Sequence, residues 1–231
     1  GQERELTSEK FFNIKHFVWL PDNDSLLVTA AKIPNRNYRI WQIIINKNEA
    51  KPLTKDSEDY ANISLDKDFG LLISTQVKPD FRLTLFSMEN PSLKNVLTEG
   101  ESASFSTDGK IVFSSKKTGN MEIWGTESNG IRQIQLTNNL GEDVRPIVSP
   151  NNSSIFFASN RSGETQVWRM NSDGSNQIQI TKKEGGSPIF VSPDGSRVFY
   201  QHGRNRTLWS VSDKGDDEQL ILNEQKFDFA F

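Results

Sequence analysis

The chain has 231 residues and a formal net charge of −3, from 27 Lys and Arg against 30 Asp and Glu mixed along its length. This balance argues against a nucleic-acid-binding surface, which would concentrate Lys and Arg on one face. The absence of cysteine excludes disulfides, thiolate metal sites and cysteine nucleophiles. No run approaches the roughly 20 apolar residues of a membrane-spanning helix, so we expect no membrane insertion by this segment.

One pattern recurs five times along the chain. Each copy has an apolar strand, a turn, a second apolar strand, a turn, a third strand that is aromatic in most copies, and a last strand. The first four copies close with Thr, and the fifth ends without it. The copies occupy residues 15–54, 60–98, 102–137, 145–181 and 187–222. Because helical periodicity is missing and the repeat has the roughly 40 to 45 residues of a four-stranded blade, the sequence predicts an all-β propeller of antiparallel blades.

Tryptophan marks the third strand of the repeat. Trp41, Trp124, Trp168 and Trp209 occupy the same place in their copies, and Leu85 replaces Trp in the second copy. Since four copies share this position, we interpret the Trp as core packing in the wedge between adjacent blades rather than as a ligand-stacking residue.

The turns carry their own sequence signals. The tetrapeptides "STDG" at 106–109 and "SPDG" at 192–195, with "NSDGSN" at 171–176, place Asp and Gly where a tight turn needs a side-chain acceptor and a positive φ. These segments are predicted to be hairpin turns.

The two ends look like parts of further blades. Residues 3–7 match the end of a fourth strand, and residues 227–231 match the start of a first strand. We therefore expect residues 1–231 to be a single propeller domain or a fragment of a ring of six or more blades. A ring of five blades that closes on itself is the alternative.

The later repeats resemble the WD40-like repeats of TolB-type β-propellers. In the fourth copy, the turn Ser159-Asn160-Arg161-Ser162-Gly163 precedes Val167-Trp168, which is followed by Asp173-Gly174-Ser175 and Ile180-Thr181. The resemblance is strong in copies three to five and looser in copies one and two, since the second copy lacks both the Trp and the Pro-Asp-Gly turn.

The resemblance implies a propeller region of a larger bacterial protein. In the periplasmic TolB protein such a ring binds protein partners without catalysis, and similar repeats form the outer portion of receptor-like kinases. It therefore implies a periplasmic or extracellular location and a protein or peptide partner. Similar propellers also gate prolyl-oligopeptidase-type serine peptidases.

Catalytic constellations are missing from the sequence. The only histidines, His16 and His202, lie in different repeats, and no Gly-x-Ser-x-Gly nucleophile elbow is present. Two isolated His cannot supply a zinc site. We predict no catalytic residues, no dedicated metal ligands and no enzymatic activity.

Acidic residues precede or begin the first strand in three copies. These are Glu58 and Asp59, Glu99 and Glu101, and Glu142 and Asp143. In a propeller such connections gather at one mouth of the central channel. There they could hold Ca²⁺ as a composite site, meet the basic tail of a partner, or simply be solvated loops.

Basic residues cluster in the turn between the second and third strands. They are Lys32, Arg36, Lys116, Lys117, Arg161, Arg204 and Arg206. The candidate binding residues from both sets are Asp59, Glu101, Asp143, Arg145 and Arg161. The leading hypothesis is a non-catalytic, monomeric binding propeller that recognises a protein, peptide or cell-envelope ligand at the channel mouth, as the sensor portion of a signalling protein. The alternative is the gating propeller of a serine peptidase whose hydrolase domain is absent.

Overall fold

The computed structural model describes residues 5–33, 38–55, 58–77, 81–183, 185–202 and 207–222. Residues 227–231 lie outside this part of the chain, as do residues 3 and 4, so the predicted part-blades fall largely beyond it. Residues 5–7 precede the first strand.

The fold is all-β, as predicted, and consists of five four-stranded antiparallel blades of a β-propeller whose strands follow one another in chain order. The first two blades contain β1 Asn13–Trp19, β2 Ser25–Ala31, β3 Arg39–Ile44, β4 Glu49–Pro52, β5 Asp59–Leu65, β6 Leu71–Val77, β7 Arg82–Ser87 and β8 Lys94–Glu99. The other three contain β9 Glu101–Phe105, β10 Ile111–Ser115, β11 Glu122–Thr126, β12 Gln133–Gln135, β13 Asp143–Val148, β14 Ser154–Ser159, β15 Gln166–Asn171, β16 Ile178–Gln179, β17 Ser187–Val191, β18 Arg197–Gln201, β19 Leu208–Ser212 and β20 Gln219–Leu222. A 3₁₀ turn at Ile45–Lys47 is the one helical element in the described residues.

The blades form two compact units, with blades 1 and 2 in the first and blades 3 to 5 in the second. Within the described residues, no helix has the length and apolar character needed to span a bilayer.

The second strand of each blade explains the unbroken apolar runs in the sequence. In blade 4, β14 is buried along its whole length. Ile155 and Phe157 pack into a cluster shared with blade 3, whereas Phe156 packs into a cluster shared with blade 5. Since both faces are covered, the strand shows no alternation of apolar and polar residues.

In blades 1, 3 and 4, the Thr that closes the sequence repeat fastens the fourth strand to the third. The Thr54 Oγ1 accepts the Ile40 backbone N–H at 3.1 Å. Thr137 and Thr181 do the same for the third strands of blades 3 and 4, at 2.8 and 2.9 Å. All three Thr side chains are buried, so a hydroxyl at this position satisfies a backbone donor that water cannot reach.

The predicted Asp-Gly hairpins are confirmed. Gly109, Gly174 and Gly195 all have positive φ. In the last of these turns, hydrogen bonds donated by the Ser192 hydroxyl and by Ser196 lower the pKa of Asp194 to about 2. The carboxylate therefore acts as the side-chain acceptor that the sequence predicted.

The register of the strands corrects the alignment of the second copy. In each blade that has a Trp in its third strand, one residue at or just before the start of the second strand closes the first hairpin with its backbone carbonyl, and the residue three positions later pairs with the Trp. In blade 4 these residues are Ser154 and Phe157, and Phe157 pairs with Trp168. In blade 2, this position pairs Ser74 with Thr84. Thr84, not Leu85, therefore takes the place of the Trp, because the turn between β6 and β7 shifts the sequence count by one residue.

The wedge interpretation of the Trp side chains fits blades 4 and 5. Trp168 packs against the cluster between blades 3 and 4, and Trp209 packs against the cluster between blades 4 and 5. Trp41 is buried, but Trp124, Trp168 and Trp209 are only half-buried. Their remaining exposed faces are the starting point for the candidate site.

Candidate functional site

Basic side chains from the turn between the second and third strands cover the Trp rings of their own blades. The Arg161 guanidinium lies 4.7 Å from the Trp168 ring centroid. Two other blades repeat this arrangement, with Lys32 over Trp41 at 4.7 Å and Lys117 over Trp124 at 5.5 Å. Three of the basic residues that the sequence places in this turn, Lys32, Lys117 and Arg161, thus make cation–π contacts. Arg36, Arg204 and Arg206 lie outside the described residues.

Sequence reasoning missed this pairing, although a signal for it exists. Arg161 and Lys117 each precede their Trp by seven residues, and His202 precedes Trp209 by the same interval. A spacing that crosses a turn becomes meaningful only when the register of the two strands is known.

Asp59 lies at the start of β5 and is held by the preceding blade. Its Oδ1 accepts the Tyr38 backbone N–H at 2.7 Å. Lys15 lies beside it, with Nζ 3.8 Å from the Tyr38 ring centroid. Burial lowers the pKa of Lys15, and the Asp59 carboxylate opposes part of that shift. Asp59 is therefore half-buried between structural partners rather than fully solvated.

Glu142 has the same role in the second unit. Its Oε2 accepts the Met121 backbone N–H at 3.0 Å. In both places, the next backbone N–H returns a hydrogen bond to the preceding blade, from Tyr60 to Tyr38 and from Asp143 to Met121, each at 2.8 Å. An acidic residue before the first strand thus joins consecutive blades.

Asp143 is fully buried, so at this residue the solvated loop, one of the three alternatives considered from the sequence, is wrong. Its Oδ2 accepts a hydrogen bond from Asn139 Nδ2 at 2.7 Å and forms an ion pair with Arg161. Arg161 also donates to Ser159 Oγ at 3.0 Å and to Gln177 Oε1 at 2.6 Å. The pair is braced on both sides, and Arg161 keeps only 16% of its side chain exposed.

Glu101 does not occupy the same register position as Asp143. When blades 3 and 4 are aligned on the turn between their first and second strands, Gly100 takes the position of Asp143, and Glu101 takes the position of Val144. Glu101 is half-buried, and its backbone carbonyl accepts the Ser114 hydroxyl at 2.8 Å. The described residues contain no cluster of three His, Asp or Glu that could hold a metal ion. The calcium site considered from the sequence gains no support from this arrangement.

A buried carboxylate that the sequence did not single out lies next to this pair. Glu122 is 0% exposed. Its Oε1 accepts Asn120 Nδ2 at 3.1 Å and the Asn139 N–H at 2.9 Å, and its Oε2 accepts the Thr137 hydroxyl at 2.6 Å. Asn139 therefore links the Glu122 and Asp143 carboxylates in one polar network at the junction of blades 3 and 4.

Arg145 differs from the other candidate residues because it is exposed. It lies in the irregular part of β13, where pairing with β14 shifts between Val144 and Ile147, and its φ is 55°. A non-glycine residue in this conformation costs about 1–2 kcal/mol. Its guanidinium makes no hydrogen bond or ion pair with the described residues. The first strand of blade 3 has a similar irregularity, with Ser102 at a φ of 54°, so the bulge belongs to the blade and the Arg side chain is what distinguishes blade 4.

The two histidines lie in different units. His16 Nδ1 lies 3.5 Å from the Ile63 backbone N in the first unit, whereas His202 Nδ1 lies 3.3 Å from the Gly185 carbonyl oxygen in the second.

Consecutive four-stranded antiparallel meanders with shared apolar clusters place this chain in the class of β-propeller proteins. The sequence model of the TolB beta propeller domain matches residues 100–228, which is more than half of the chain. The chain belongs to this family, as the resemblance of its repeats predicted.

Solved structures show the same fold. TolB from Acinetobacter baumannii is similar with a TM-score of 0.78 and 17% identity, over 94% of this chain and 55% of that one. A putative TolB from Agrobacterium tumefaciens gives 0.76 and 18%, over 94% and 82%. Oligogalacturonate lyase from Vibrio parahaemolyticus gives 0.67 and 9%, over 90% and 65%. At these identities the likeness concerns the fold alone, and no curated protein sequence matches the chain.

Proposed function

We propose that this chain is a non-catalytic binding propeller that recognises a protein or peptide partner through residues near the starts of its first strands. Among the candidate residues of the second unit, Arg145 is the exposed contact, the buried Asp143–Arg161 pair positions it, and Glu101 is a further candidate. Asp59 is a separate candidate in the first unit. Membership of the TolB propeller family supports this proposal. The same family relationship supports a periplasmic or extracellular location. A monomeric state and a sensor role within a larger signalling protein are further parts of the proposal.

Arg145 is the observation that carries the proposal. Its exposed guanidinium makes no ion pair with the described residues, and the equivalent bulge position of blade 3 is occupied by Ser102, so the backbone conformation itself does not require an Arg. The buried carboxylates at the junction of blades 3 and 4 already have partners within the fold: Asp143 pairs with Arg161, and Glu122 accepts hydrogen bonds from Asn139 and Thr137. The site thus offers a charged contact to a partner on a rigid support. No observation on the described residues favours the alternative of a peptidase-gating propeller.

The test is a selection of random 12-residue peptides displayed on phage against the immobilised chain. We expect peptides that are enriched over several rounds and displaced by free protein. A selection that enriches no displaceable peptide would show that the chain is not a peptide-binding propeller.

A further inference from the structure

The loop at residues 138–142, which lies between β12 and β13, is held by hydrogen bonds to side chains beneath its backbone. The Asn139 backbone N–H and side-chain amide bind the buried carboxylates of Glu122 and Asp143. Its Oδ1 accepts the Gly141 N–H at 2.7 Å. Asn120 Nδ2 donates to the carbonyls of Asn139 and Gly141, at 2.9 and 2.6 Å. The loop backbone is therefore fixed by polar contacts on each side of its tip.

Close packing fixes the same loop a second time. Gly141 is buried, and a Cβ at this position would lie 2.7 Å from the Arg161 backbone nitrogen. Only glycine allows this approach, so the loop rests directly on the turn that carries the Asp143–Arg161 pair. The loop is thus a rigid extension of the polar network.

Leu140 lies at the tip of this loop and is 104% exposed. It lies between Asn139 and Gly141, the two residues that anchor the loop, and adds no apolar burial to the fold. A partner that covers a side chain held in this way loses little conformational freedom on the protein side.

Arg145 lies five residues after Leu140. Five residues span at most about 18 Å, so both side chains fall within the footprint of a single short peptide. A guanidinium pairs best with a carboxylate, through two parallel hydrogen bonds. An aliphatic side chain such as Leu140 is covered best by apolar side chains, which a sugar acid does not offer.

We infer that Leu140 and Arg145 form one recognition surface for an acidic peptide that presents a carboxylate to Arg145 and an apolar side chain to Leu140. This inference rests on the proposed function and specifies the chemistry of the partner. The Asp143–Arg161 pair and Asn139 position the surface and do not themselves contact the peptide.

The experiment uses the full chain and the displayed 12-residue peptides as the probe. Enriched peptides are synthesised with a fluorescent label, and their Kd is measured by polarisation against wild type, Leu140→Ser and Arg145→Asn. Asn tolerates positive φ, so the second variant keeps the bulge. Ile131→Ser and Arg132→Asn serve as matched controls, because Ile131 is 83% exposed and Arg132 is exposed beside it in another turn of blade 3.

We expect the enriched peptides to combine Asp or Glu with an apolar residue. Each of Leu140→Ser and Arg145→Asn should weaken binding about tenfold or more, while the control variants should change Kd less than about twofold. Peptides that bind all four variants equally would overturn this inference and leave the proposed binding function in place. A failure to enrich any peptide would overturn this inference together with the peptide-binding part of the proposed function.

Discussion

Glu122→Gln probes the polar network with a change of one atom. The Glu122 carboxylate is 0% exposed and meets three donors: Asn120 Nδ2 and the Asn139 N–H on Oε1, and the Thr137 hydroxyl on Oε2. A carboxylate is acceptor-only and suits this site, whereas an amide presents an NH₂ group to at least one donor. In blade 4, the amide oxygen of Gln166 accepts the Thr181 hydroxyl at 2.6 Å. If the amide oxygen of the Glu122→Gln side chain turns toward Thr137 in the same way, its NH₂ group faces the Asn139 N–H, which then has no acceptor.

The magnitude follows from what the substitution leaves unpaired. Loss of one charge-assisted hydrogen bond removes about 1.5–3 kcal/mol, and an unsatisfied buried donor adds about 1–3 kcal/mol. Removal of a buried charge offsets part of this loss. We therefore expect the free energy of unfolding to fall by about 2–3 kcal/mol, and the melting temperature to fall by roughly 4–12 °C for a chain of this size.

The assay is urea denaturation followed by Trp fluorescence, together with a thermal melt. Glu164→Gln is the matched control, because Glu164 is exposed and the same charge is removed. A Glu122→Gln protein within about 0.5 kcal/mol of wild type would refute the reasoning, since the three donors would then have adapted without loss.

Three further predictions concern the repeat features. Thr181→Val removes the acceptor of the Val167 N–H and should lower the free energy of unfolding by about 1–3 kcal/mol. The control is Thr165→Val, which should not lower it because Thr165 is exposed. Equal urea midpoints for the two variants would contradict the fastening role of Thr181. Trp41→Ala should lower the free energy of unfolding by about 3–5 kcal/mol, and Trp168→Ala should lower it by less, because Trp41 is 7% exposed and Trp168 is half-buried. A larger loss for Trp168→Ala than for Trp41→Ala in urea denaturation would disprove the packing argument. Asp194 has a folded pKa of about 2 against an ordinary value of 3.8, so its stabilising effect is present above pH 3.8 and is lost as the pH falls through about 2. Asp194→Asn should therefore lower the melting temperature at pH 6 and lower it progressively less as the pH is brought to 2 and below, and a difference of equal size at pH 6 and at pH 2 would exclude this origin.

The blades could be predicted from the sequence because their signals are local. Asp-Gly turns, apolar runs and a closing Thr recur at fixed intervals, and each reflects a requirement within one blade or one hairpin. The Leu85 assignment failed because it depended on counting across the turn between β6 and β7. The structure places Thr84 at this position, opposite Ser74.

The candidate site was less predictable because burial depends on the neighbouring blade. Asp143 and Glu142 are adjacent acidic residues in the sequence, yet one is fully buried and the other is exposed. Glu122 was missed because nothing in its own strand shows that Asn139 and Thr137 will point donors at it. Arg145 was included as a candidate, but its positive φ could be seen only in the backbone.

The doubly covered β14 makes neighbouring blades interdependent. Removing blade 5 would expose Phe156, Val167 and Ile180 to water, while removing blade 3 would uncover Ile155 and Phe157 from the opposite side. Stability in such an array is a sum of blade and interface terms, so it propagates from neighbour to neighbour. Blade 4 is therefore complete only between blades 3 and 5, and gains or losses of sequence during evolution would be tolerated best in steps of a whole repeat.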